Sequence, residues 1–118
     1  MNAQVDEYIA QQKEEIAAFL SKLRKSILTI SDLCEERFSY QVPFYYFINK
    51  PICYFHVTAE NTIIGFYNGR KLTERPGFLE HFGRKQVKLI FVNDFSEFDF
   101  DLFKEIIIEA MMTIEKKI

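Results

Sequence analysis

Apolar and polar positions follow two different periods along this chain. Ile16, Phe19, Leu20, Leu23, Ile27 and Ile30 recur three and four residues apart, which gathers them into one stripe of a helix. Ala18, Ser21, Lys22, Lys25 and Thr29 fall on the opposite side, and Ser31-Asp32 closes the segment. A shorter helical piece around Asp6, Glu7, Tyr8 and Ile9 precedes it, with Gln11-Gln12-Lys13 as the break.

From residue 38 to residue 92 the pattern becomes that of strands. Residues 44–48, 52–58, 62–67 and 87–92 are rich in aromatic and β-branched side chains, which suit a pleated, half-buried surface. Asn49-Lys50-Pro51 and Ala59-Glu60-Asn61 are short turns, so the first three strands form an antiparallel meander. In the second strand Cys53, Phe55 and Val57 share one face, and Ile52, Tyr54, His56 and Thr58 the other. Neither face has enough polar residues for water on both sides. Either both are covered, or one is a binding surface.

Asn68-Gly69 marks a turn, and a long connection follows, with a helical turn around Phe78-Leu79-Glu80-His81-Phe82 and Gly83 at its end. A last helix spans residues 100–116 with Asp99 as N-cap. Phe103, Ile107, Ala110 and Ile114 form its core face, flanked by Ile106 and Met111. The expected order is ααββββα. It describes a single compact α+β domain over residues 1–118, with an antiparallel sheet of about four to five strands, two N-terminal helices and one C-terminal helix.

Composition narrows the class. A chain of 118 residues has room for one domain. With 48% hydrophobic and 27% charged residues it is neither a disordered tail nor a polybasic arm. No apolar run approaches the ~20 residues of a membrane helix, and the first residues lack a signal-peptide pattern, so the expectation is a cytoplasmic protein. Thirteen Phe and six Tyr, with no Trp, make the chain rich in aromatic residues. Cys34 and Cys53 lack metal-ligand spacing and are read as reduced thiols.

The net charge of −2 hides an uneven layout. Residues 1–36 hold seven acids and four bases, residues 37–92 eight bases and three acids, and residues 93–118 seven acids and three bases. A basic centre between two acidic ends, in a chain of pI about 5.7, argues against binding duplex nucleic acid.

Several stretches together resemble a known family. Val5-Asp6-Glu7-Tyr8-Ile9, the amphipathic helix and Ser39-Tyr40-Gln41-Val42-Pro43 look like the opening of the YdhG-like domains of unknown function. Pro51-Ile52-Cys53-Tyr54-Phe55 and Ile63-Ile64-Gly65-Phe66-Tyr67 resemble their paired central strands. The likeness covers nearly the whole chain, and Gln41 stands where the pattern usually has Gly. The resemblance implies a compact cytosolic fold with helices packed on an antiparallel sheet. One group of that family is described as frataxin-like intracellular iron chaperones, a role for which no defined ligand motif maps onto this sequence.

Four kinds of chemistry follow from the residues. Asp101, Glu105 and Glu109 repeat every four residues and form a row, with Asp94, Glu97 and Asp99 just upstream. Carboxylates suit hard cations, so these six residues are candidate weak ligands for iron, although Lys104 beside them also fits an ordinary solvated face. The second set is basic and aromatic: Tyr46, Tyr54, His56, Tyr67, Arg70, Lys71, Arg84 and Lys85 could form a pocket for a small anionic molecule or a protein partner. Catalysis has no sequence signature, since no nucleophile elbow, His-Glu-x-x-His or paired-carboxylate motif occurs. Finally, Ile108 and Met112 fall on the polar side of the last helix, one turn apart, and suit a homodimer contact. The sequence thus points to binding rather than catalysis.

Overall fold

The computed structural model describes residues 2–67, 72–73 and 87–115. Helices α1 (Ala3–Ala10) and α2 (Glu14–Leu28) come first. Five strands follow: β1 (Cys34–Ser39), β2 (Val42–Phe47), β3 (Lys50–Val57), β4 (Thr62–Phe66) and β5 (Lys88–Val92). A 3-10 turn, Phe95–Glu97, leads into α3 (Phe100–Glu115). The strands form one antiparallel sheet in the order β1-β2-β3-β4-β5. The α+β class and the helix count match the sequence expectation. The Cα radius of gyration, 13.6 Å, is that of one compact domain.

The helix boundaries have local causes. Asn2 caps α1, its side chain accepting from the backbone N–H groups of Gln4 and Val5. Asp99 caps α3 as expected, accepting from Leu102 N–H at 3.0 Å. The stripe read in α2 is its inward face, with Phe19, Leu20, Leu23 and Ile27 buried. On α3, Phe103, Ile106, Ile107, Ala110, Met111 and Ile114 are buried. All three helices meet one face of the sheet, contributing with Tyr45, Phe47, Phe55, Ile64 and Phe66 to a single core.

Strand β1 is the element that hydrophobic pattern did not reveal. Its Glu35-Glu36-Arg37 run is charged, yet it pairs with β2 along its length. Glu36 explains why the charge is tolerated. It is buried in a fork with Arg24 of α2, at 2.8 Å (Nε to Oε2) and 2.7 Å (Nη2 to Oε1). Tyr45 donates its hydroxyl to Glu36 at 2.7 Å, the Asn2 backbone N–H donates to it at 3.0 Å, and Asp6 pairs with Arg24 at 2.6 Å. No buried side-chain polar atom of this knot lacks a partner, so α1, α2, β1 and β2 are tied at one point. Burial, followed by the nearby Glu36 charge, pushes the Tyr45 phenol far above its ordinary value and keeps it a donor.

Two details correct the strand reading. The turn before β3 is Ile48-Asn49, and Lys50 and Pro51 already belong to the strand. In addition, Tyr45 pairs with Cys53 but Tyr46 with Pro51, so Ile52 is an extra residue in a bulge. The bulge turns Ile52 away from the Tyr54–His56 side into the core, beside Ala110 and Ile114. Both two-residue hairpin turns, Tyr40-Gln41 and Ile48-Asn49, have positive φ at both positions, the geometry that matches strand twist and favours Asn and Gly. Gln41, at φ 64°, is therefore where a glycine would sit without strain. Both cysteines are free thiols. The helical turn expected around residues 78–82 lies outside the described residues, and Leu72, within the same connection, packs into the core.

Candidate functional site

The opposite face of the sheet has no described helix on it. Pleating and register place Val42, Phe44 and Tyr46 of β2, Tyr54 and His56 of β3, Ile63 and Gly65 of β4, and Leu89 and Phe91 of β5 on this side. None is Asp, Glu, Lys or Arg, and Leu89 and Phe91 are 50% and 56% exposed. Among the described residues, the charges on this face belong to β1 and pair with each other. Arg37 forks onto Glu35 with two bonds of 2.9 Å, reaches Asn49 at 2.8 Å, and lies 4.2 Å over the Tyr46 ring.

At the centre, Gly65 has no side chain because a ring needs its space. A Cβ there would stand 2.3 Å from Tyr54 Cε1, so Tyr54 leans directly over Gly65. Phe44, paired with Tyr54 across the strands, stacks against it at 5.0 Å and 18° from parallel. Tyr67 stands edge-on to Tyr54 at 70°, and Tyr40 is inclined to Phe44 at 52°. These rings, with Val42, His56 and Val87, enclose an open concavity of about 420 Å3. That volume lies in the ~300–1,000 Å3 range of small-molecule sites.

Hydrogen bonding sets these tyrosines apart from those in the core. The Tyr45 hydroxyl donates to Glu36, and the Tyr8 hydroxyl accepts from Val57 N–H at 3.0 Å. Among the described residues, the hydroxyls of Tyr40, Tyr54 and Tyr67 have no such partner. Burial raises the Tyr54 phenol. It also raises that of Tyr67, which the neighbouring phenols of Tyr54, Tyr40 and Tyr46 push further. At neutral pH both are uncharged donors.

Of the aromatic and basic residues expected at a pocket, Tyr54, His56 and Tyr67 line the concavity. Tyr46 touches the ring cluster through Phe44 at 6.2 Å but is not part of the lining. Arg70, Lys71, Arg84 and Lys85 lie outside the described residues. Tyr40, Val42, Phe44 and Val87 were missed. Val42 and Phe44 could have been found from their spacing of two before Tyr46, whereas Tyr40 enters only through the positive-φ turn it occupies.

The six acidic candidates have separate local roles or none visible. Asp94 accepts from Ser96 Oγ at 2.6 Å and Ser96 N–H at 3.1 Å, and these bonds hold its carboxyl below the usual range. Asp99 caps α3. Glu109 accepts from Thr73 N–H at 2.8 Å and Thr73 Oγ1 at 2.5 Å, tying the β4–β5 connection to α3. Glu97, Asp101 and Glu105 are exposed. Among the described residues no group of three or more His, Cys, Asp or Glu could hold a metal ion. Ile108 and Met112 are exposed on α3, as their positions in the sequence suggested. No described helix is long and apolar enough to cross a membrane. Compared with protein-family models, curated proteins and solved structures, the chain matches none.

Proposed function

We propose that this protein acts by binding a small organic anion, and that the aromatic concavity on the sheet face without a described helix is its site. The observation that carries this reading is the concavity itself, about 420 Å3 walled by Tyr40, Val42, Phe44, Tyr54, His56, Tyr67 and Val87. Large rings with few polar groups are the composition of ligand sites. The anionic character rests on the sequence. The segment bearing Arg70, Lys71, Arg84 and Lys85 begins just after Tyr67 and ends just before Val87, both of them wall residues. The alternative of weak iron handling through Asp94, Glu97, Asp99, Asp101, Glu105 and Glu109, with the YdhG-like resemblance behind it, requires carboxylates that converge. No such group of three exists among the described residues, and the ligand-binding reading takes precedence.

A thermal-shift screen of nucleotides, sugar phosphates and carboxylic acids tests it. At least one class is expected to raise the unfolding midpoint by a few degrees at millimolar concentration. The shift shrinks in His56→Ala, at the rim, and in Arg84→Ala. Absence of any shift across the three classes, or a shift that both variants leave intact, overturns the proposal.

A further inference from the structure

Resting on that reading, we infer that the part of the ligand seated in the concavity is a planar, uncharged heteroaromatic ring, with any anionic group held outside. Three independent features meet there. The walls are rings in two orientations: Phe44 and Tyr54 lie within 18° of parallel, while Tyr40 crosses Phe44 at 52° and Tyr67 crosses Tyr54 at 70°. A flat guest can stack on one orientation and receive the edges of the other, the two geometries aromatic quadrupoles favour. Among the described residues the lining contains no Asp, Glu, Lys or Arg, so a phosphate or carboxylate inside would lose its hydration without a fixed counter-charge from them. The hydroxyls of Tyr40, Tyr54 and Tyr67 have no hydrogen-bond partner among the described residues. They are donors for the ring nitrogens or carbonyl oxygens that a heteroaromatic ring has and a plain hydrocarbon lacks.

Tyr40 is the adjustable wall. It is 85% exposed, sits at φ 52°, and its ring reaches back to Phe44 at 5.6 Å. A large ring held in water by a left-handed turn costs stability, and a stacked guest would cover it.

Calorimetric titration with adenosine monophosphate, uridine monophosphate, riboflavin and ribose 5-phosphate separates the ring from the charge. Tyrosine emission provides a second readout, because the chain has no Trp. At least one of the three ring compounds should bind saturably and quench that emission, with ribose 5-phosphate at least about tenfold weaker. Tyr40→Ala, at an exposed turn, should weaken ring binding about tenfold or more. Tyr67→Phe keeps the ring, removes one donor, and should cost about three- to tenfold. Ribose 5-phosphate binding as tightly as the ring compounds, or ring binding indifferent to Tyr40→Ala, overturns this inference and leaves the anion-binding proposal standing. The same holds if only non-aromatic anions from the wider screen bind. If nothing in either set binds, both fall.

Discussion

The two faces of this sheet use the same residue types to opposite ends. On the helix side Tyr45, Phe55 and Phe66 are fully buried. On the other side Leu89 and Phe91, equally apolar, stand half in water. Two tyrosines only nine residues apart make the contrast chemical: Tyr45 donates to Glu36, whereas the Tyr54 hydroxyl has no partner among the described residues. The inner face is a completed structure in which every ring is packed and every buried polar side chain is satisfied among the described residues. The outer face is a surface of rings and unused donors. Side-chain type does not decide which face becomes a core. What packs against it does.

The comparison breaks hardest on the inner side. Phe55→Ala should cost about 3–5 kcal/mol of unfolding free energy in urea titration, the usual penalty for an emptied core ring. Glu36→Gln should cost less, about 1–3 kcal/mol, because the buried fork loses its charge while Arg24 keeps Asp6. A loss below about 1 kcal/mol would mean that the Arg24–Glu36–Tyr45 knot is dispensable.

Alkaline titration gives a graded version of the same contrast. Burial pushes the Cys34 thiol up to about 11 and the Cys53 thiol well above its ordinary value, and it raises Tyr45 as well. The unfolded chain releases these protons near ~8.5 for Cys and ~10 for Tyr. Folding therefore retains protons that the unfolded state gives up. The stability they contribute is complete below about pH 8.5 and declines as pH rises. Cys34→Ala should flatten the first part of that decline. A stability profile that rises above pH 9 would contradict the described burial.

Smaller effects belong to turns and to the outer face. Ile48 is a β-branched residue at φ 50°, and Ile48→Gly should stabilise the β2–β3 hairpin by about 1 kcal/mol through relief of that strain. Smallest of all, Phe91→Thr on the exposed side of β5 should change stability by about 0.5 kcal/mol or less while improving solubility. If Phe91→Thr costs as much as Phe55→Ala, the outer face is covered and the contrast between the faces disappears.

Much of this was legible in the residue pattern. The α2 stripe, the Asp99 cap, all four expected strands and the Tyr54–His56 side follow from periods of 3.6 and 2, which are local properties of the backbone. Strand β1 was not legible, because its Glu35-Glu36-Arg37 run is stabilised by Arg24 and Tyr45, partners distant in sequence. Ile52 was misplaced because a bulge is defined by two strands together. The acidic row on α3 was real as a spacing, but Glu109 is engaged by Thr73 through a long-range contact no helical period contains.

By itself the sequence determined the class of the domain and the fact that its sheet has too many rings for two wet faces. Those are consequences of side-chain chemistry and backbone periodicity, which each residue carries with it. Only the tertiary structure decided which face the helices cover and that Gly65 makes room for Tyr54. It also decided that Tyr40, Phe44 and Tyr67 converge with them on one concavity. These depend on strand register and on which surfaces meet, relations between segments that no single stretch of sequence contains.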